Sequence, residues 1–435
     1  MMSHPELITC DLAVIGTGMT GMASAVFAAN RGLSTVQVGS SSEIMFASGC
    51  LDLLGVHPIK EKRSWDNPWE GMSALCTDLP NHPYAKVKPQ DIKVALGDFL
   101  SFLDDAGLPY RRQEERNSCI LTPMGTLKHT YCVPRTMWRG VVALKEKVPC
   151  LLVDIRGLKG FSARQMAAAL KDVWPKLRTT RICFPETEHT SEVYTEKMAR
   201  ALDSAENRAK LVRLVKPHVK DARAVGMPAI LGMYHTNAVI ADLEEAFGIP
   251  VFEIPTMPPC ISGMRVKEAF EAQIPKRGVQ LFLEKQVLDV HYGADGDFIL
   301  HIGQEAMESK VKAKGVILGS GRFLGRGLHA DRRRIRETIF DLPVSQPTDR
   351  TVWHRKSFLD PRGHPINRAG LEIDDTFRPL DRSGRPAYRT LFAAGSILAH
   401  QDWMRMKCGS GLSIATGYGA VNAFARLNQG STKDG

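Results

Sequence analysis

Asp11-Leu12-Ala13-Val14-Ile15 runs straight into Gly16-Thr17-Gly18-Met19-Thr20-Gly21 and then into Met22-Ala23-Ser24-Ala25-Val26-Phe27-Ala28-Ala29. An apolar strand, a G-x-G-x-x-G turn and an alanine-rich helix in that order form the phosphate-holding start of a dinucleotide-type βαβ unit. Gly16 permits the tight turn, Gly18 lets backbone approach a phosphate, and Gly21 lets the helix pack closely on the strand. The helix N-terminus then offers unpaired N–H groups and a partial positive charge to an anion. Met19 and Thr20 sit on that first turn.

The acidic residue that completes this fingerprint is missing. The second strand reads Ser34-Thr35-Val36-Gln37-Val38, and the position after it is Gly39. Dinucleotide binders usually carry Asp or Glu there, bonded to the adenosine ribose. Gln37 is only a partial substitute. Either backbone and water meet the ribose hydroxyl, or no adenosine is present and the ligand ends in one phosphate, as FMN does.

A chain of 435 residues with 43% hydrophobic content can bury a large core and divides most simply into two joined domains. No apolar run reaches the roughly 18–20 residues that span a bilayer. The first residues lack a basic and an apolar region, so no secretory signal is expected. Nine cysteines are scattered from Cys10 to Cys408 with no C-x-x-C pair. That pattern suits reduced thiols in the cytosol, excludes a locally bound iron–sulfur cluster and yields no metal site. Net charge is +10 with an isoelectric point near 9.1. The excess fits a solvated surface, an anionic substrate, an acidic partner or a membrane face. Basic residues are densest at Arg322, Arg326, Arg332, Arg333, Arg334 and Arg336, but few aromatics lie between them, which argues against a nucleic-acid platform.

Further along, Phe46–Leu54 is a small-residue loop leading into an apolar stretch, placed where Ser48 and Gly49 would face a ligand crevice. Asp91–Leu103 reads as a helix. Cys150–Gly157 followed by Ser162–Leu170 reads as a second βα unit with Ser162 as N-cap. Lys197–Lys216 reads as one amphipathic surface helix, and Met227–Gly232 and Val251–Pro255 as short buried strands. Val279–Asp289 and Phe298–Ile302 read as strands around a turn at Gly293–Gly296. Lys314–Leu318 is an apolar strand ending in Gly319-Ser320-Gly321, and Thr390–Ala394 another ending in Gly395-Ser396. Cys408-Gly409-Ser410-Gly411 then opens a small-residue helix from Leu412 to Leu427. Strand-to-glycine turns at 16–21, 319–321 and 395 can converge at the carboxyl ends of parallel strands. The expectation is an α/β protein: a discontinuous Rossmann-like flavin-binding domain over 1–60 and 275–435, with a second α/β domain inserted at 61–274.

That order of motifs resembles two-domain FAD-dependent oxidoreductases. More narrowly, the chain resembles the B-type subunits of anaerobic glycerol-3-phosphate dehydrogenases, in Phe46–Leu54, His82-Pro83-Tyr84, Thr122–Leu127, Ile155-Arg156-Gly157, Ile335-Arg336-Glu337, Asp375–Pro379 and Leu391–Ser396. The resemblance implies a flavin, FMN by its usual assignment with FAD as the alternative. It also implies a cytoplasmic protein without a membrane span of its own, peripheral on the inner membrane through partners. Those partners are an FAD-bearing A-type subunit and a membrane-associated iron–sulfur C-type subunit, with no nucleic acid. The implied reaction oxidises sn-glycerol 3-phosphate to dihydroxyacetone phosphate and sends electrons toward quinone. The chain departs from the family pattern at Ala399-His400 and at Met404–Gly411.

The expected cofactor-binding set is Gly16, Gly18, Met19, Thr20, Gly21, Gly39, Ser48, Gly49, Gly319, Gly321, Gly395, Ser396, Gly409, Gly411 and Leu412. No motif fixes catalytic residues. His57, His129 and His400 are candidate bases, and Arg265, Arg322 and Lys407 candidate phosphate clamps. Each also has an ordinary reading: a hydrogen-bonded loop histidine, or an exposed or structural cation. The family's division of labour implies substrate on the A-type partner and electron relay here. The alternatives are a stand-alone flavin oxidoreductase acting on another small anion or a partner thiol or disulfide, an RNA-directed flavoprotein, and a non-catalytic scaffold.

Overall fold

The glycine fingerprint sits on the central strand of a seven-stranded sheet, as the hydrophobic pattern requires. The structure is a computed structural model and describes residues 7–40 and 43–431. β1 (Leu7–Ile15) lies between β2 (Thr35–Gly39) and β6 (Met307–Leu318), parallel to both. β3 (Val279–Leu283) adds in parallel beyond β2, and β7 (Leu391–Ala393) pairs in parallel with β6. β4 (Gln286–Tyr292) and β5 (Phe298–Gly303) extend the other side as an antiparallel hairpin. In register, Ile15 pairs with Val38 and Leu318, and Leu318 with Ala393. Four parallel strands therefore end at one level, and each runs into a glycine at the next residue or two.

α1 (Met19–Ala29), α2 (Pro89–Asp105) and α3 (Gly409–Ser431) pack together against this sheet. Phe27 meets Tyr418 edge to face at 5.2 Å between ring centres, and Phe424 fills the space left by Gly315. α2 buries Ile92, Ala95, Leu96, Phe99, Phe102 and Leu103 on one stripe. Each such large side chain contributes about 1.5–3 kcal/mol when removed from water.

Contacts divide the chain into two units. One comprises the segments up to Glu43, Asp52–Ala106 and from Phe270 onward; the other comprises Ile44–Leu51 and Gly107–Ala269. The sequence boundary at 60/61 is displaced, because the apolar stripe of α2 packs on α1 and α3 and draws 61–106 into the first unit. Proline-rich loops around that helix disguise its membership. The second unit is a four-stranded parallel sheet in the order Val251–Ile254, Ala224–Pro228, Cys150–Ile155, Leu177–Ile182. Helices cover both faces, so three of its strands are fully buried, mostly apolar runs, while the edge strand Leu177–Ile182 is polar and only partly buried. Ser162 caps its helix as expected, accepting from the Gln165 N–H at 3.3 Å.

Three expected elements differ. Lys197–Lys216 is not one helix but two, Thr195–Leu202 and Ala205–Val219, divided at Asp203 and Ser204. Asp203 is used instead as an acceptor for the N–H groups of Met233, Tyr234 and His235. Val279–Asp289 breaks at Glu284, whose φ of 58° turns a parallel strand into an antiparallel one. The strand near 227 begins earlier, at Ala224, and ends at Pro228.

Candidate functional site

The cradle is built by glycines that touch one another. Gly16 has φ +129°, and a Cβ there would lie 2.2 Å from the Gly319 carbonyl oxygen. At Gly21 a Cβ would stand 1.8 Å from the Gly16 oxygen. The first and second glycine turns therefore meet backbone to backbone, tied by Gly319 N–H to Ile15 O at 2.8 Å, while Gly16 N–H to Val38 O at 2.7 Å ties the first turn to β2. The third turn joins through Thr20: a Cβ on Gly395 would fall 1.9 Å from the Thr20 hydroxyl, and one on Gly319 would lie 3.1 Å from its methyl. Thr20 is thus a buried spacer between turns. Gly18 differs from all of these. It is the N-cap of α1, it makes no side-chain cap, and a Cβ there meets nothing within 4 Å. Open space beside a helix N-terminus with uncapped N–H groups suits a phosphate.

Gly39 now has a local cause. A Cβ there would lie 2.7 and 2.8 Å from the Thr17 side chain and 2.9 Å from its backbone nitrogen. No carboxylate side chain fits in that place. Gln37 does not replace it either, since it is fully buried and its Nε2 donates to the Gly16 carbonyl at 2.8 Å. Its task is to hold the turn.

An acid does arrive four residues later. Glu43 accepts from the Gly325 N–H, and burial holds its carboxyl above the usual carboxylate range despite that bond. Its Oε1 lies 3.8 Å from the point a Gly321 Cβ would occupy, and the Ser396 hydroxyl lies 3.7 Å from the same point. Residues following β2, β6 and β7 thus gather at one place. Sequence reasoning missed Glu43 by looking only at the strand's last residue; the first acid after β2 was the available signal.

Other expected cofactor residues are engaged by their own chain. At the start of α3 the Gly411 N–H donates to Asp52 O at 2.8 Å and the Leu412 N–H to Cys408 O at 2.9 Å. A Cβ on Gly411 would touch Asp52 O and the Tyr84 hydroxyl, both at 2.7 Å, and one on Gly409 would press on Trp403. These glycines dock the helix on the Asp52–Leu54 segment. Ser48 and Gly49 belong to the second unit, where Gly49 O accepts from Tyr110 at 2.6 Å and Ser48 Oγ from Lys128 at 3.4 Å.

The candidate clamps are corrected. Arg322 donates through Nε to Ser396 O at 2.6 Å, through Nη1 to Asn367 O, and through Nη2 to Leu398 O and Gln401 O at 3.2 and 3.1 Å. Burial pulls it down to about 10, and every arm is spent on a carbonyl, so it organises the loop after β7. Arg265 is locked to Glu253 in the second unit. Lys407 is exposed at the C-cap of a short helix with φ 53°. Among the candidate bases, His129 is exposed on a hairpin of the second unit.

His57 and His400 remain together in the first unit. His57 is buried with Nε2 2.8 Å from Asp78, and His400 Nε2 lies 2.6 Å from Glu372. Both act on His82, to which the sequence pattern alone attaches no role. His82 is fully buried and pulled down to about 3, first by burial and then by the charges of His57, His400 and Arg368. His57 lines a cavity of about 470 Å³ with Lys60, Asp78, Arg355, Arg362 and Arg368. Arg355 and Arg362 share Asp360, whereas Arg368 has no acidic partner among the described residues. The cavity is cationic and suits a phosphate-sized anion.

The family described as FAD binding domain matches residues 11–412. The B-type subunit of anaerobic glycerol-3-phosphate dehydrogenase from Vibrio cholerae serotype O1 is 30% identical over 94% of this chain and 95% of its own length. The chain belongs to that FAD-binding family and, within it, to the group of these B-type subunits. Similar relatives occur in Vibrio vulnificus, 28% identical over 97% and 98%, and in Halobacterium salinarum, 30% identical over 96% and 98%. Among solved structures, 3-ketosteroid Δ1-dehydrogenase from Sterolibacterium denitrificans aligns over 96% of the chain and 100% of its own, with 12% identity and a TM-score of 0.43. The glycine cradle, Gly18's open side and the acid at Glu43 fit the flavin that this family carries. No helix among the described residues is long and apolar enough to cross a membrane.

Proposed function

We propose that the chain is the flavin-bearing B-type component of an anaerobic glycerol-3-phosphate dehydrogenase, oxidising sn-glycerol 3-phosphate to dihydroxyacetone phosphate within a complex. The observation that carries this reading is the convergence of three glycine turns in a chain that matches its B-type relatives nearly end to end. The partners in this reading are an FAD-bearing A-type subunit and a membrane-associated iron–sulfur C-type subunit, and the place of work is the cytoplasmic face of the membrane. The flavin supplies the two-electron chemistry when bound. This chain's residues hold it: the α1 N-terminus takes phosphate at Gly18, while Gly16, Gly21, Gly319 and Gly395 let the backbone close around it.

We assign FAD rather than FMN. FMN rested on Gly39 and on the usual assignment of the subunits the chain resembles; packing against Thr17 accounts for that glycine, and Glu43 restores an acid nearby. The family matched is itself described as FAD binding. Denaturing the purified protein and chromatographing the released flavin is expected to give FAD; release of FMN would overturn the assignment.

One observation favours a second reading, in which this chain meets the substrate itself: the cationic cavity beside His57. There Arg368 would hold the phosphate while the His57–Asp78 pair holds a proton at Nε2. Turnover of glycerol 3-phosphate by the isolated, flavin-loaded chain with an artificial acceptor separates the two. The relay reading expects negligible turnover. Direct contact expects turnover whose KM rises about tenfold in Arg368→Ala, as for loss of one charge-assisted hydrogen bond.

A further inference from the structure

The antiparallel hairpin at the rim of the first unit's sheet carries a group that the flavin chemistry does not use. Asp289 and His291 are two residues apart on β4 and so project from the same face. His301 on β5 is paired in register with Asp289 and shares that face. The opposite face of β5 is core, with Phe298, Leu300 and Ile302 fully buried. A register shift between Val287 and Asp289 sets this alignment: Leu288 is the extra residue, and without it Leu288 would oppose His301.

The side chains converge. His291 Nε2 lies 2.9 Å and His301 Nδ1 3.9 Å from Asp289 Oδ2, and one ligand atom from each residue falls within 4.8 Å of the other two. The two imidazole rings meet edge to face at 5.0 Å between centres. Ligands of a tetrahedral metal with bonds of about 2.0–2.2 Å stand roughly 3.3–3.6 Å apart, inside this spread. Small side-chain rotations close the difference, because Asp289 and His291 are more than half exposed.

We propose that Asp289, His291 and His301 form a binding site for a borderline divalent transition metal, zinc in the first instance, with its remaining positions open to water. Two imidazoles and one carboxylate are the donors such ions prefer, whereas calcium and magnesium require more oxygen ligands. Lys310, paired in register with His301 from β6, sets a positive charge on the same row and keeps the affinity modest. A bound ion would fasten β4, the outermost strand of the sheet, to β5.

The test titrates zinc chloride into the chelator-treated, flavin-loaded protein by calorimetry, with Asp289→Asn/His291→Ala alongside. The expected result is one saturable zinc per chain and a raised melting temperature. Zinc affinity should fall by at least about 100-fold in the double variant, because two direct ligands are altered where loss of an outer-shell partner alone costs about 10- to 100-fold, with flavin content unchanged. Magnesium should give no heat. Absence of saturable zinc binding would overturn the proposal, and so would zinc binding undiminished in the variant, which would place the ion at the cysteines.

Discussion

Gly18→Asp yields a folded, colourless protein. Gly18 has φ −77° and ψ −171°, a conformation open to any residue, and a Cβ there touches nothing within 4 Å. Its carbonyl accepts from the Met22 N–H at 3.0 Å, a backbone bond that the substitution keeps. Aspartate is also a preferred N-cap and replaces glycine with a gain of a few tenths of a kcal/mol. Stability of the empty protein therefore holds or rises slightly. Binding collapses, because the new carboxylate takes the free N–H groups of the first turn and sets negative charge where the flavin phosphate must sit. Losing one or two charge-assisted hydrogen bonds and adding repulsion costs about 3 kcal/mol, roughly 100-fold in affinity. The checks are the ratio of flavin to protein absorbance after purification, reconstitution of the stripped protein, and the melting curve without flavin. A variant that stays yellow at the wild-type ratio would refute the phosphate seat. Gly21→Ala makes the contrast, since its Cβ would meet the Gly16 carbonyl at 1.8 Å and disturb the fold itself.

What the sequence disclosed and what it hid follow from the range of the interactions. Gly16, Gly319 and Gly395 were legible because each follows an apolar strand, and strand ends on a parallel sheet share a level; Gly21 was legible from its place in the G-x-G-x-x-G spacing. Gly39 was legible as an anomaly, but its cause was not: Thr17, 22 residues earlier, occupies the space. The same holds for Arg322, Arg265 and Gln37, whose partners lie 12 to 79 residues away. A basic or polar residue near a motif looks the same in sequence whether it serves a ligand or a carbonyl of its own chain. The Rossmann-like class rested on local periodicity and survived. The edges of the inserted segment rested on which sheet an amphipathic helix chooses, and local pattern is silent on that for Pro89–Asp105. The metal-ligand triad was equally invisible, because it depends on a bulge that shifts the register of one strand by one residue.

The largest stability effect is expected in the second unit, at Arg265→Ala. The guanidinium forks onto Glu253 with two bonds of 2.7 Å, and it also donates to the Gly232 carbonyl through Nε at 2.9 Å and Nη2 at 2.6 Å. Glu253 Oε1 further accepts from the Leu231 N–H at 2.7 Å. Both side chains are essentially buried, and together they tie the Val251–Ile254 strand, the loop at 231–232 and the helix Ile261–Gln273. Burial alone would push the Glu253 carboxyl up, but the charge and hydrogen bonds of Arg265 overrule it and hold it below the usual range. Truncating Arg265 strands a buried carboxylate, at a cost of about 3–5 kcal/mol near neutral pH. The pH dependence then reverses sign. In the wild type, a carboxyl lowered by folding adds stability above its unfolded value, lost only as pH falls through the lower folded one. In the variant burial dominates and the folded value is raised, so Glu253 binds a proton more readily folded than unfolded. Acidification from pH 8 toward 5 therefore relieves the variant and narrows its gap to the wild type. Urea midpoints at the two pH values read this directly. Equal loss at both would mean that Glu253 is not what Arg265 neutralises. Glu253→Leu/Arg265→Met should recover much of the loss, because a packed apolar pair removes the stranded charge. Arg265→Lys should fall between, keeping the charge without the fork.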